Sequence, residues 1–177
     1  MIYLDNAATT KVDENVLKAV MPWFTETYGN ASSSHEFGEI CNNKIEEVRK
    51  QVAKYIGGKS ENVYFCSSSS EANSWFYKDL DYNKEWFAGL QIDHADTIMA
   101  CKELTHGSLL TVDNNGMLAE DDYDYHWICF NLVNAEIGVI QNIKKISSVS
   151  HKYGCKIFCD LTQAIGHMPI NIKELKL

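Results

Sequence analysis

Apolar positions recur at helical spacing in the first third of this chain and then gather into short runs separated by polar turns. Val16, Val20, Trp23 and Phe24 fall at i, i+4, i+7 and i+8 and predict a helix within residues 11–28, with Asp13 as its N-cap. Residues 29–38, Gly-Asn-Ala-Ser-Ser-Ser-His-Glu-Phe-Gly, read as a turn-rich loop. Ile40, Ile45, Val48, Val52 and Ile56 make the apolar stripe of a second helix over 36–56, which Gly57-Gly58 ends. Then the rhythm changes. Strands are predicted over 62–66, 86–92, 108–112, 127–133 and 156–159, with helices over 71–80, 96–103 and 144–152 between them. Asp113-Asn114-Asn115-Gly116 is a turn, and Pro22 and Pro169 mark local stops. Strands alternating with helices predict an α/β fold of three layers, a mostly parallel sheet with helices on both faces. No internal repeat, low-complexity linker or second-domain boundary interrupts it, so residues 1–177 are expected to form one domain.

Composition narrows the class without changing the fold. A chain of 177 residues buries roughly 70% of its unfolded surface in one core. Its hydrophobic content of 45% and charged content of 23% are those of an ordinary soluble globular protein. A net charge of -8 argues against nucleic acid or an anionic membrane as partner, because both require clustered Lys and Arg. No apolar run approaches the ~20 residues of a membrane helix. Met1-Ile2-Tyr3-Leu4-Asp5 lacks the basic-then-apolar order of a signal peptide, so the expected location is cytoplasmic. The six cysteines, at 41, 66, 101, 129, 155 and 159, include no Cys-x-x-Cys pair and are expected to be reduced, buried small hydrophobes. Cys155 and Cys159 would share a strand face ~13 Å apart, too far to hold one metal ion.

In parallel sheets ligands collect beyond the carboxyl ends of the strands. Ser67-Ser68-Ser69-Ser70-Glu71 leads from the first predicted strand into a helix, where hydroxyls and free amides suit an anion such as phosphate, or simply cap the helix. Asp93-His94 follows the second strand; the imidazole suits stacking or proton transfer, or a plain surface or core position. Asn134-Ala135-Glu136-Ile137-Gly138 follows the fourth. Asp160-Leu161-Thr162-Gln163 follows the fifth, and its carboxylate can hold a pyridine nitrogen protonated or cap a helix.

Taken in order, these pieces resemble the cysteine desulfurases, class V of the aminotransferases that depend on pyridoxal 5'-phosphate (PLP). The resemblance opens at Tyr3-Leu4-Asp5-Asn6-Ala7-Ala8-Thr9-Thr10 and continues through Gly29-Asn30-Ala31-Ser32-Ser33-Ser34-His35. It runs on through Phe65 to Glu71, Asp93-His94, Asn134 to Gln141 and Asp160 to Gln163, and closes at Gly166-His167-Met168-Pro169-Ile170. It covers the chain but only about the first half of a family member. It implies an incomplete large domain of the PLP-dependent transferase type (fold type I) and a dimer with sites near the subunit interface. It places Ser69 and Ser70 at the PLP phosphate. His94 stands over the cofactor ring as the catalytic acid/base group, Asp160 at the pyridine nitrogen, and Gln163 at the phenolic oxygen.

Some positions depart from the family pattern. Ser68-Ser69 replaces a Gly-Ala step, Ala135 an Asn, Leu161 a small residue beside the cofactor ring, and Ala31 a loop proline. Glu120-Asp121-Asp122-Tyr123-Asp124 stands where the family has a helix. The family's Schiff-base lysine would fall roughly two dozen residues past Asp160, and its persulfide cysteine later still. Lys173 and Lys176 sit on a predicted surface segment and are not expected to replace that lysine. The expectation is therefore a desulfurase-like fragment that is inactive alone, vestigial or repurposed, and self-associating through an exposed sheet edge. The alternative is the N-terminal half of a split enzyme completed by a C-terminal partner chain; a PLP-binding protein without catalysis is a third.

Overall fold

The computed structural model describes residues 1–119 and 123–175. Glu120, Asp121 and Asp122 of the acidic stretch, and Lys176, lie outside the described residues. The chain divides into two compact units, Met1–Val63 and Tyr64–Leu177.

The first unit is helical. Asp13 caps α1 (Glu14–Val20) as predicted, its Oδ1 accepting the Asn15 amide at 2.8 Å. The expected helix over 11–28 is two short ones, because Pro22 has no N–H to continue the ladder and instead starts α2 (Pro22–Thr25). Helix α3 (Glu36–Ile56) runs between a His35 cap and Gly57, whose φ of 74° turns the chain left-handed and gives its N–H to the last carbonyls. The α3 stripe is not buried as its pattern predicts. Ile40, Ile45, Val48 and Val52 all remain exposed.

The predicted strand over 62–66 does not form. Asn62 ends a single 3-10 turn (Ser60–Asn62), and Val63 is extended but pairs with no strand among the described residues. Tyr64, Phe65 and Cys66 are exposed, which corrects the expectation of a buried Cys66. Strand-forming composition without a partner's amides and carbonyls does not make a strand.

The second unit carries the sheet. Helix α4 (Ser69–Asn83) leads to β1 (Phe87–Leu90), α5 (Ala95–Glu103) and β2 (Gly107–Leu110). After the Asp113–Gly116 turn come β3 (Trp127–Asn131), α6 (Ile143–Tyr153), β4 (Lys156–Asp160) and the short α7 (Ile172–Leu175). All pairings between these four strands are parallel and the strand order is β2-β1-β3-β4. Successive side chains on each strand point to opposite faces. Phe87, Cys129 and Phe158 enter a cluster with Tyr77 and Leu80 of α4 and Cys101 of α5. Ala88, Leu90, Ile128 and Phe130 enter a larger one with Ile143 and Ile146 of α6. Both faces are thus covered, α4 and α5 on one side and α6 on the other. That is why these strands read as continuous apolar runs rather than alternating ones.

Candidate functional site

The site grows from the packing of α4 on β4. Asn73, Phe76 and Tyr77 share one face of α4, at i, i+3 and i+4. The Phe76 ring stacks on Phe158 with centroids 3.8 Å apart and planes within 8°. Two residues beyond Phe158, on the same strand face, Asp160 carries its carboxylate at the strand's end. One turn earlier on α4, buried Asn73 donates Nδ2 to Asp160 Oδ2 at 3.4 Å. The other oxygen, Oδ1, accepts the Thr162 amide at 2.8 Å. Gln163 lies half-buried in the turn that follows.

A second set of contacts ties His94 to the same sheet end. His94 caps α5 through Nδ1, and its backbone N–H donates to Asn131 Oδ1 at 2.8 Å. Asn131 ends β3 and stands opposite Asp160 in the strand register. Its own N–H donates to Asp93 Oδ1 at 3.0 Å, while Asp93 Oδ2 accepts the Leu90 amide at 2.8 Å. Burial pushes the Asp93 carboxyl up to about 7; its two amide bonds oppose that shift and the Asp160 charge adds to it.

The serine run is already bonded within the protein. Ser68 caps α4, its Oγ accepting the Glu71 amide at 3.2 Å. Ser67 donates both its backbone N–H and its hydroxyl to Glu71 Oε2, each at 2.6 Å. Those two bonds hold the Glu71 carboxyl below the usual range. Ser69 is the first residue of α4. Ser70 donates its hydroxyl to Asp96 Oδ2 at 2.7 Å, and the same oxygen lies 3.2 Å from His94 Nδ1.

The structure thus brings Ser70, His94 and Asp160 to one end of the sheet, joined through Asp96, Asn131 and Asn73. Sequence reasoning gave those three linking residues no role. The signal for Asn73 was present, as a polar residue on the apolar stripe of a helix. Of the departures, Leu161 packs against the α6-side core. Ala135 sits exposed in a loop held by Asn134, whose Oδ1 accepts the Glu136 and Ile137 amides, each at 2.9 Å. Lys173 is exposed on α7.

All six cysteines are free thiols. Burial pushes Cys101 and Cys155 up to about 11, Cys159 up to about 12, and Cys129 upward as well. These four stay protonated at neutral pH and are poor nucleophiles.

Known proteins share this fold. Residues 2–177 match the model of the family described as aminotransferase class-V. The chain belongs to the class V aminotransferase family. Among curated relatives, it is 32% identical to a cysteine desulfurase IscS of Methanosarcina thermophila, over 99% of this chain and 47% of that protein. It is 33% identical to cysteine desulfurase 2 of Trichormus variabilis, over 98% of this chain and 47% of the relative. Among solved structures, the NifS-like protein of Rickettsia africae superposes with a TM-score of 0.91 at 28% identity, over 100% of this chain and 52% of that one. This class V chain therefore spans about half the length of the curated relatives it matches.

PLP is the cofactor of the family's cysteine desulfurases, and this class V site suits one end of it. On the ring side, Asp160 is a half-buried carboxylate with one oxygen on a backbone amide and the other on the Asn73 amide, a fixed acceptor for a pyridinium N–H. On the phosphate side the residues do not fit. The Ser67 and Ser70 hydroxyl protons already go to the Glu71 and Asp96 carboxylates.

Proposed function

We propose that residues 1–177 form the ring-facing part of a cysteine desulfurase-like site and do not desulfurate cysteine by themselves. The observation that supports this reading is the pair of bonds, Asn73 Nδ2 to the Asp160 carboxylate and the His94 backbone N–H to Asn131 Oδ1, made beyond the same end of the sheet with β3 lying between β1 and β4. In this reading Asp160 pairs with the pyridine nitrogen, His94 stacks over the ring, and Gln163 bonds its phenolic oxygen. Ser69 and Ser70 stand at the phosphate end. The imidazole of His94 is half exposed, and its Nδ1 is engaged by the Asp96 amide at 3.4 Å, which leaves Nε2 to carry a proton. The resemblance puts the reacting lysine and cysteine outside residues 1–177, and the buried thiols within them are held protonated.

Incubated with L-cysteine and PLP, the purified chain is expected to release no alanine or sulfide above a chain-free control. Alanine release that scales with chain concentration and disappears in Asp160→Ala would overturn the reading. The retained polar network favours a second one, in which a complementary chain supplies the missing groups, because buried polar pairs contribute little stability over apolar packing. Co-expression with the C-terminal part of the Methanosarcina thermophila relative tests it, with recovered alanine release supporting it and none opposing it. Self-association through the outer edges of β2 and β4 is the partner the first reading implies.

A further inference from the structure

We infer that Asn115-Gly116 is a latent modification site for deamidation, and that Asp113 holds it closed while its turn is folded. This is the one Asn-Gly step in the sequence. The reaction needs no enzyme and no reactant but water. The Gly116 backbone nitrogen attacks Cγ of Asn115 and a C–N bond forms. The side-chain amide nitrogen leaves as ammonia and takes the backbone proton with it. Water then opens the cyclic imide at either carbonyl, leaving aspartate or isoaspartate at position 115. Glycine suits the attack because it has no Cβ to crowd its nitrogen.

Asn115 is exposed, so water reaches its side chain. What opposes the reaction is the hydrogen bonding of the turn. Attack requires the peptide between Asn115 and Gly116 to swing its nitrogen onto Cγ. The Gly116 N–H instead donates to the Asp113 carbonyl at 2.9 Å, which fixes that peptide plane. Asp113 Oδ1 accepts the Asn115 and Met117 amides at 2.8 and 2.9 Å. The Met117 amide first, then the Asn115 amide and its side chain, hold the Asp113 carboxyl below its usual range. Buried Gln141 clamps the far side, donating Nε2 to Gly116 O at 2.7 Å and accepting the Leu118 amide at 3.0 Å. Deamidation therefore waits on local opening of residues 113–118. Once made, the change resists reclosure. Isoaspartate lengthens the backbone by a methylene, and either product sets a second carboxylate beside Asp113. The site thus records the time its turn has spent open.

The test follows the site by peptide mapping in mildly alkaline buffer, as the mass gain of an amide turned acid and as isoaspartate. The wild-type chain is expected to react at least tenfold more slowly than a synthetic peptide of residues 110–119. Asp113→Ala removes the side-chain acceptor and is expected to react at least tenfold faster than wild type. Asp113→Asn keeps an oxygen for both amides and is expected to stay within threefold of wild type. Gly89→Ala crowds Thr97 where β1 meets α5, and so separates global from local opening. A wild-type chain that reacts as fast as the peptide overturns the closed turn. An unchanged rate in Asp113→Ala, an Asp113→Asn as fast as Asp113→Ala, or equal acceleration in Gly89→Ala overturns the role of Asp113. A mass gain in this segment that persists in Asn115→Gln overturns the site itself.

Discussion

Below the unfolded value of 3.8, the Asp93 carboxyl is neutral whether the chain is folded or not. Above it the unfolded chain releases this proton while the folded chain, with a value near 7, retains it. The folded state then binds more protons, so this group's contribution to stability falls as pH rises, by about 1.4 kcal/mol per unit, and levels off above the folded value. Wild-type stability is therefore expected to decline from pH 4.5 to 7 relative to Asp93→Asn, which cannot titrate. The variant starts lower, since an amide replaces one of two acceptors of backbone N–H groups. Urea unfolding of both proteins across this range checks it; a constant difference between them would contradict a proton held by Asp93. Sequence showed the acid at the strand end and not its burial. Burial depends on Leu90 and on Asn131, which lies 38 residues further along the chain.

Among the elements, the contact between β1 and α5 is the tightest to test. A methyl on Gly89 would lie 2.5 Å from Thr97 Cγ2 and 3.0 Å from Cys101 Sγ, so Gly89 lets the helix approach the strand. Gly89→Ala is expected to destabilise the fold by about 1–3 kcal/mol in urea unfolding. Thr97→Ser removes the offending methyl and keeps the hydroxyl that bonds Tyr77 at 2.9 Å, so the double variant should recover part of that loss. A Gly89→Ala variant as stable as wild type would show that the two elements are looser than described. Helix α3 was legible because its apolar stripe runs unbroken to Gly57-Gly58, while its His35 cap shows only in the structure. Strands β1 and β3 were predicted too long, since Ile92 and Leu132 continue into the core after pairing stops. The 62–66 segment has the composition of a strand and lacks the neighbour. The Asn73–Asp160 contact joins residues 87 apart, and no local pattern encodes that distance.

At the scale of the whole molecule, the two units meet in sequence at Val63, which is extended, and Tyr64, which is exposed; neither lies in a described strand. Limited chymotrypsin digestion is expected to cut early after Tyr64 or Phe65 and to leave the sheet-bearing fragment resistant. Early cuts within β1 or β3, with 64–66 intact, would refute that expectation. The sheet is legible from sequence as a set of apolar runs, but its strand order is not, because crossover lengths alone do not fix neighbours. That order sets β4 at a lateral border, bonded through its ladder to β3 alone among the described residues. The strand bearing Asp160 is thus clamped from above by the Phe76–Phe158 stack and from one side by a single ladder. Border strands breathe before central ones do. Among the described residues Asp160 therefore rides on a border strand steadied by one ladder, by the Phe76–Phe158 stack and by Ile157 and Cys159 against the α6-side core, so fraying there would loosen the proposed ring contact before the fold itself opens.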